Sequence, residues 1–270
     1  MDLKKLMYHF FAYFQKRTDS NQFIPVVQSH RGYCQNTQDI RENTLAAICK
    51  SLELCYEMVE FDVRLTKDQH VVLFHDEVVH GCKISNMSLK DLRSKVAVDT
   101  LSEVFDWYQN KYLPKAFAKN HIQIQNFKLN IEIKSKVING HLEKSVFELI
   151  KKFNMRDYIL ISSFNPVSLF YFKQMDAKIF RSLLLSDEKN YGNNFFIRNM
   201  TLNFLSKPNA LHLRDQDWNP DLYKALIYKK IPIILWTCND LTRVQAYLKQ
   251  GVAGVISDQI KPADLQSDHY

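Results

Sequence analysis

Short β-rich runs alternate with segments of helical period along most of the chain, and few architectures accept that order. Repeated βα units bury their strands in a parallel sheet covered by helices. The runs predicted as strands are Pro25–His30, Met58–Leu65, Val71–His75, Leu129–Lys134, Tyr158–Ser163, Ile179–Leu185, Ala210–Leu213, Pro232–Thr237 and Gly254–Ser257. Helices are expected over Asn43–Leu54, Leu101–Tyr108, Leu142–Phe153, Pro166–Met175, Pro220–Tyr228 and Leu241–Lys249. Asn165 before Pro166 and Asn219 before Pro220 read as N-caps followed by a first-turn proline, and Gly251 follows the final helix.

Two α/β architectures compete for this pattern. A doubly wound open sheet usually carries a glycine-rich first turn, yet the chain has only six glycines and neither GxGxxG nor a Walker-type loop. A (β/α)8 TIM barrel, typically about 250 residues, fits better. Nine strands are one more than it needs, so one of the nine should fall outside it. With 270 residues, 46% of them hydrophobic, there is enough apolar material for a full core. No repeat or linker marks a boundary. The expected organisation is an N-terminal helix over 1–24 covering the barrel and one barrel domain over 25–270.

Several function classes are disfavoured at this stage. The five cysteines, Cys34, Cys49, Cys55, Cys82 and Cys238, form an odd set without CxxC spacing, which argues against a disulfide framework and a thiolate zinc site. Nothing approaches the roughly eighteen consecutive apolar residues of a spanning helix, and no signal-peptide cleavage pattern follows Leu6–Phe14. A cytoplasmic protein is expected, with peripheral membrane contact left open. The net charge of +7 would suit a polyanion, but pairs such as Lys4-Lys5, Lys151-Lys152 and Lys229-Lys230 are scattered, so neither a nucleic-acid partner nor a protein partner is implied.

The stretch VEFDVRLTKDQHVVLFHD, Val59–Asp76, poses the functional question. Side chains alternate along a strand, so Val59, Phe61, Val63 and Leu65 share one face and Glu60, Asp62 and Arg64 the other. This is either an edge strand with a wet face or a polar face turned into a protected site. In a barrel, polar residues at strand C-terminal ends mark the active site. His30, Glu60, Asp62, His75, Glu132 and Lys134 converge there from four strand ends, which favours the second reading. Three carboxylates without cysteine are hard oxygen ligands, so Glu60, Asp62 and Glu132 are expected to hold one divalent cation, Mg²⁺ or Ca²⁺. His30 and His75 then serve as acid and base, with Arg31 and Lys134 facing a phosphoryl group.

The segments SHRG, RENTLAA, EFDVRLTKD, FHD, LNIEIK, SSFNP, WTCND and GVAGVISD resemble, in order, the motifs of the glycerophosphodiester phosphodiesterase family, over roughly Val26–Leu265. The resemblance implies a (β/α)8 barrel, a divalent cation and hydrolysis of a glycerophosphodiester to glycerol 3-phosphate and an alcohol. It implies His30 and His75 as the catalytic pair, Glu60, Asp62 and Glu132 as metal ligands, and Arg31 and Lys134 as phosphate-binding residues. Trp236 matches an aromatic beside the substrate, while Glu42 and Asn43 match a turn that organises the site. Arg41 departs from the family's usual proline and Ala253 from its aspartate. Asp258 is expected to cap the turn that follows it and is not assigned to the site.

The mechanism expected from the resemblance is internal: a glycerol hydroxyl beside the phosphodiester attacks phosphorus, a cyclic phosphate forms, and water opens it. His30 is taken as base and His75 as acid. The alternatives are a lysophospholipase D-like or sphingomyelinase D-like phosphodiesterase acting on lipids, or a catalytically inactive binding protein on the same barrel. Leu3, Leu6, Met7, Phe10, Phe11 and Phe14 share one side of a helix, as a barrel-closing or interfacial helix would have them. The aromatic stretch Asn190–Leu205, with Phe195 and Phe196, is expected to border the entrance and favour substrates of some apolar character.

Overall fold

The computed structural model describes residues 24–35, 39–118, 127–136, 138–187 and 203–265. The expected N-terminal helix and the aromatic stretch 190–205 therefore lie, but for their last residues, outside the described residues. Eight parallel strands close on themselves: β1 (Val27–Ser29), β2 (Met58–Leu65), β6 (Lys128–Ile133), β7 (Ile159–Ser163), β8 (Phe180–Leu185), β9 (Ala210–Arg214), β10 (Ile233–Trp236) and β11 (Gly254–Ser257). β1 pairs with β11 on one side and meets β2 through Ser29 and Val59 on the other, which completes the TIM barrel.

The ninth expected strand is not a stave. β3 (Val71–Leu73) runs antiparallel to β2, with Val63 opposite Leu73 and Leu65 opposite Val71. Parallel neighbours need a crossover of a dozen or more residues, whereas only Thr66–His70 separate these two strands. A tight turn is the one connection that fits, and Gln69 takes a left-handed φ of 64° within it. A small hairpin, β4 (Val78–Val79) and β5 (Cys82–Lys83), and a helix over Leu89–Lys95, none of them expected, follow before the chain returns to the barrel at β6.

Side-chain alternation sorts each stave. Val59, Phe61, Val63, Ile131 and Ile161 point outward and are buried with Ile48, Val146 and Phe172 from surrounding helices. Inside, Met58, Leu160, Phe180, Ala210, Ile234 and Ile256 form an apolar layer toward the strands' N-terminal ends. Above it the layer turns polar: Ser162 Oγ donates to Asn130 Oδ1 at 2.8 Å, and Asn130 Nδ2 donates to Gln28 Oε1 at 3.0 Å. Stacked interior layers of this kind fill a barrel and leave the C-terminal end for chemistry.

The helices begin where their caps predict. Asn165 and Asn219 accept from the backbone N–H of Val167 and Asp221, each ahead of a first-turn proline, and such caps stabilise by about 1 kcal/mol each. The first helix starts at Leu45 rather than Asn43, because Thr44 is its N-cap and accepts from Ala47 N–H. That leaves Asn43 outside the helix at φ 55°, free to face the barrel. Among the described residues, no helix is long and apolar enough to cross a membrane.

Candidate active site

β1, β2, β6 and the segment after β3 deliver the six converging residues to one cavity of about 210 Å³, lined by His30, Arg31, Glu60, Asp62, His75, Glu132 and Lys134 on its charged side. Glu60 and Asp62 come inward from β2, opposite Asn130 and Glu132 of β6 in the parallel register. His75 arrives by a different route from the one expected. The β2–β3 turn reverses the chain, Phe74 N–H donates to the Asp62 carbonyl at 3.0 Å, and His75 is carried back to the level of the carboxylates. Arg64 secures it, with Nε donating to the His75 carbonyl at 2.9 Å.

Both imidazoles are held at Nδ1. His30 pairs with Asp258 Oδ1 at 2.7 Å and His75 with Asp76 Oδ1 at 2.8 Å. Nε2 of His30 lies 4.0 Å from Glu60 Oε2. Burial works against charge on His30, but the Asp258 hydrogen bond and the Glu60 charge outweigh it and raise its pKa above the ordinary histidine value. At His75 burial and the Lys134 charge prevail, and its pKa is lowered.

The turn after β1 organises the carboxylates. Arg31 N–H donates to Glu60 Oε2 at 3.0 Å, and its guanidinium lies 3.5 Å from Asp62 and 2.9 Å from Glu42. Asn43 grips Asp62 twice, with Nδ2 donating to Oδ2 at 2.9 Å and Oδ1 accepting from the Asp62 backbone N–H at 2.8 Å. Gly32 permits this turn: its φ is +75°, and a Cβ there would lie 2.6 Å from Ala47 Cβ. Lys134 Nζ sits between Glu132 Oε1 at 2.5 Å and Asp62 Oδ1 at 3.1 Å.

One oxygen from each of Glu60, Asp62 and Glu132 lies within 4.8 Å of the others, and all three side chains are buried. Burial and the neighbouring Asp62 push Glu60 up to about 8, whereas against its burial Asp62 is held down to about 2 by Lys134 and the surrounding positive groups. Glu60 Oε1 has no hydrogen-bond partner among the described residues. A buried carboxylate oxygen that neither a donor nor a lysine satisfies fits a cation, and three hard oxygen donors fit Mg²⁺ or Ca²⁺.

The model of the glycerophosphoryl diester phosphodiesterase family matches residues 30–261. The chain belongs to this family. A glycerophosphodiester phosphodiesterase of Caldanaerobacter subterraneus subsp. tengcongensis is 27% identical over 239 residues, covering 86% of this chain and 93% of its own length. The solved glycerophosphodiester phosphodiesterase of Thermotoga maritima superposes with a TM-score of 0.65 at 27% identity, covering 88% and 96% of the two chains. An Oleispira antarctica phosphodiesterase, solved in complex with the product sn-glycerol-3-phosphate, superposes with a TM-score of 0.71 at 22% identity, covering 91% and 96%.

In this phosphodiesterase-family barrel, eight of the ten residues singled out in the sequence line the cavity, and the other two, Glu42 and Asn43, hydrogen-bond to residues that do. Trp236 lines it from β10, its ring edge-on to Phe164 at 5.5 Å between centroids. Glu42 and Asn43 stand behind Arg31 and Asp62. Asp258 does not cap the following turn, whose Gln259 and Ile260 N–H groups donate to Ser257 Oγ; it bonds His30 instead, and Asn239 Nδ2 holds its other oxygen at 2.8 Å. Its position one residue past β11, at a strand C-terminal end, was the available signal. Asp76, Arg64, Phe164 and His212 were also passed over. His212 stands alone between Leu211 and Leu213, without the alternating polar partners that marked Glu60.

Proposed function

We propose that the chain hydrolyses glycerophosphodiesters to glycerol 3-phosphate and an alcohol, with one divalent cation held by Glu60, Asp62 and Glu132. The observation that carries this reading is the pair of carboxylate-anchored imidazoles, His30 and His75, facing the same three-carboxylate cluster. Family membership and the product found in the Oleispira relative support the substrate class.

Asp258 accepts from Nδ1 of His30, leaving Nε2 directed at the cavity as the base for the glycerol hydroxyl next to the phosphodiester. That oxygen attacks phosphorus, and a cyclic phosphate forms. His75, likewise held at Nδ1, gives its Nε2 proton to the departing alkoxide. Its lowered pKa makes the imidazolium the stronger acid, and the raised pKa of His30 makes it the stronger base. In the second half the roles exchange: His75 takes a proton from water and His30 returns one to the glycerol oxygen. A bound cation lowers the pKa of the attacking hydroxyl and neutralises phosphoryl charge. Arg31 adds a second positive group on that side. Lys134, clasped by Glu132 and Asp62, lines the same cavity and would face the phosphoryl group with its charge.

The test is an assay of purified protein with Mg²⁺, Ca²⁺ or Mn²⁺ against glycerophosphocholine, glycerophosphoethanolamine, glycerophosphoglycerol and a lysophospholipid. Release of glycerol 3-phosphate from the first three is the expected result. Turnover of the lysophospholipid alone would replace this reading with a lysophospholipase D, and no turnover of any substrate with cation present would leave the inactive-barrel reading.

A further inference from the structure

His212 takes no part in the chemistry so far described, yet it lines the same cavity as His30 and Glu60. β9 turns it inward between Leu184 of β8 and Ile234 of β10, its register neighbours. It is completely buried, and neither ring nitrogen has a hydrogen-bond partner among the described residues. On the next strand Trp236 lines the same cavity, and its buried Nε1–H is equally without a partner among the described residues. Buried polar groups are almost always satisfied, and each exception calls for an explanation.

The cavity has two chemically distinct sides. His30, Arg31, Glu60, Asp62, His75, Glu132 and Lys134 make one side charged, whereas Ser162, Phe164, Leu184, His212, Trp236 and Ile256 make the other uncharged. Burial pushes the His212 ring down to about 3, so it is neutral, with one N–H donor and one acceptor nitrogen. A group of that kind cannot supply a proton at neutral pH and is no counter-ion for phosphate. It matches a hydroxyl, which donates and accepts at once. At about 210 Å³ the cavity is smaller than the 300 to 1,000 Å³ typical of sites for larger ligands, so it suits a small polyol.

On the reading that the substrates are glycerophosphodiesters, the glycerol is the constant part and the alcohol the variable one. We infer that His212, assisted by Trp236 Nε1–H, binds the glycerol hydroxyl farthest from phosphorus and so selects glycerol diesters over diesters of simpler diols. The attacking hydroxyl must lie beside His30 and the carboxylates, which directs the remaining carbon and its hydroxyl toward the uncharged side. The leaving alcohol departs through the mouth, where its size is unconstrained by this lobe.

The experiment compares glycerophosphocholine with 2-hydroxypropyl phosphocholine, which keeps the attacking hydroxyl and lacks the distal one. Leaving a buried donor and acceptor unpaired should lower kcat/KM for the deoxy substrate roughly 10- to 100-fold in the parent protein. His212→Leu should lose a similar factor on glycerophosphocholine and cease to discriminate, while His212→Asn, which keeps a donor and an acceptor, should recover part of the difference. Equal rates of the parent on both substrates, or equal losses of His212→Leu on both, would overturn the inference. Calorimetric titration of the parent with glycerol 3-phosphate and with propane-1,2-diol 1-phosphate asks the same question without turnover or a variant. Tighter binding of the former by a comparable factor supports the assignment, and equal binding overturns it. Absence of turnover would count against the proposed reaction, whereas this binding comparison still decides the role of His212.

Discussion

Asp258 Oδ1 accepts from His30 Nδ1 at 2.7 Å across the seam where β11 meets β1, so the last stave of the barrel orients the imidazole supplied by the first. Two raising influences on His30, the hydrogen bond and the charge, come from this one carboxylate, opposed by burial. Catalysis needs one imidazole neutral and one protonated. The acidic limb of the rate profile therefore follows the lower pKa, that of His75, and the alkaline limb the higher, that of His30, whichever acts as base. Asp258→Asn should move the alkaline limb to lower pH, leave the acidic limb in place, and cost about 10-fold in kcat, short of the 10²–10⁴ typical of losing an acid or base outright. A pH–rate series on parent and variant reads this directly; an unmoved alkaline limb would assign it to another group.

That relationship also shows how far the sequence could be read. The seven staves after β1 follow from apolar runs bounded by turn residues, and strand parity put Glu60 and Asp62 on one face, which the barrel, with polar residues at its strand C-terminal ends, turned inward. Strand direction was another matter. Val71–Leu73 has the composition of a buried strand, and only the brevity of Thr66–His70 reveals that it doubles back. Partners were hidden as well, because Asp258 and His30 stand 228 positions apart and meet only when the barrel closes. His212 and Gln28 sit among apolar neighbours where composition reads as core, and closure decides what faces them.

The cation site can be tested without catalysis. Glu60 is buried beside Asp62, and the two charges disfavour each other until a cation intervenes. Glu60→Gln removes one ligand and the buried carboxyl that must ionise to hold the cation. In a thermal melt the metal-free variant should be no less stable than the parent, and Mg²⁺ or Ca²⁺ should raise the Tm of the parent but not of the variant. Turnover should be lost in Glu60→Gln and in Asp62→Asn, and EDTA should abolish it in the parent. Undiminished activity in protein shown to be metal-free would remove the cation from the mechanism.

Internal attack makes the hydroxyl adjacent to the phosphodiester obligatory. A substrate with that hydroxyl deleted and the distal one retained should compete with glycerophosphocholine for binding yet release no alcohol, and ³¹P spectra taken during turnover of the parent should show a five-membered cyclic phosphate. Efficient hydrolysis of the deleted substrate would point to direct attack by water.

Asn43 offers the most local test of how the site is built. Its left-handed φ of 55° places the side chain, rather than the helix that starts two residues later, against β2, and asparagine tolerates that conformation better than most residues. Both halves of its amide are used on Asp62, one on the carboxylate and one on the backbone N–H. Asn43→Asp preserves size and backbone preference but replaces the Nδ2 donor with an oxygen facing Oδ2, so the buried carboxylate loses a hydrogen bond and gains a like charge. Each such change typically costs about 1–3 kcal/mol, and the expected result is a lower Tm with weaker cation binding. Asn43→Ala loses both hydrogen bonds without adding charge and adopts φ > 0 less readily, so it should also lower Tm, while binding the cation better than Asn43→Asp does. If the two variants bind Mg²⁺ equally well by calorimetry, the charge facing Asp62 is not what Asn43 guards against, and its role reduces to shaping the turn.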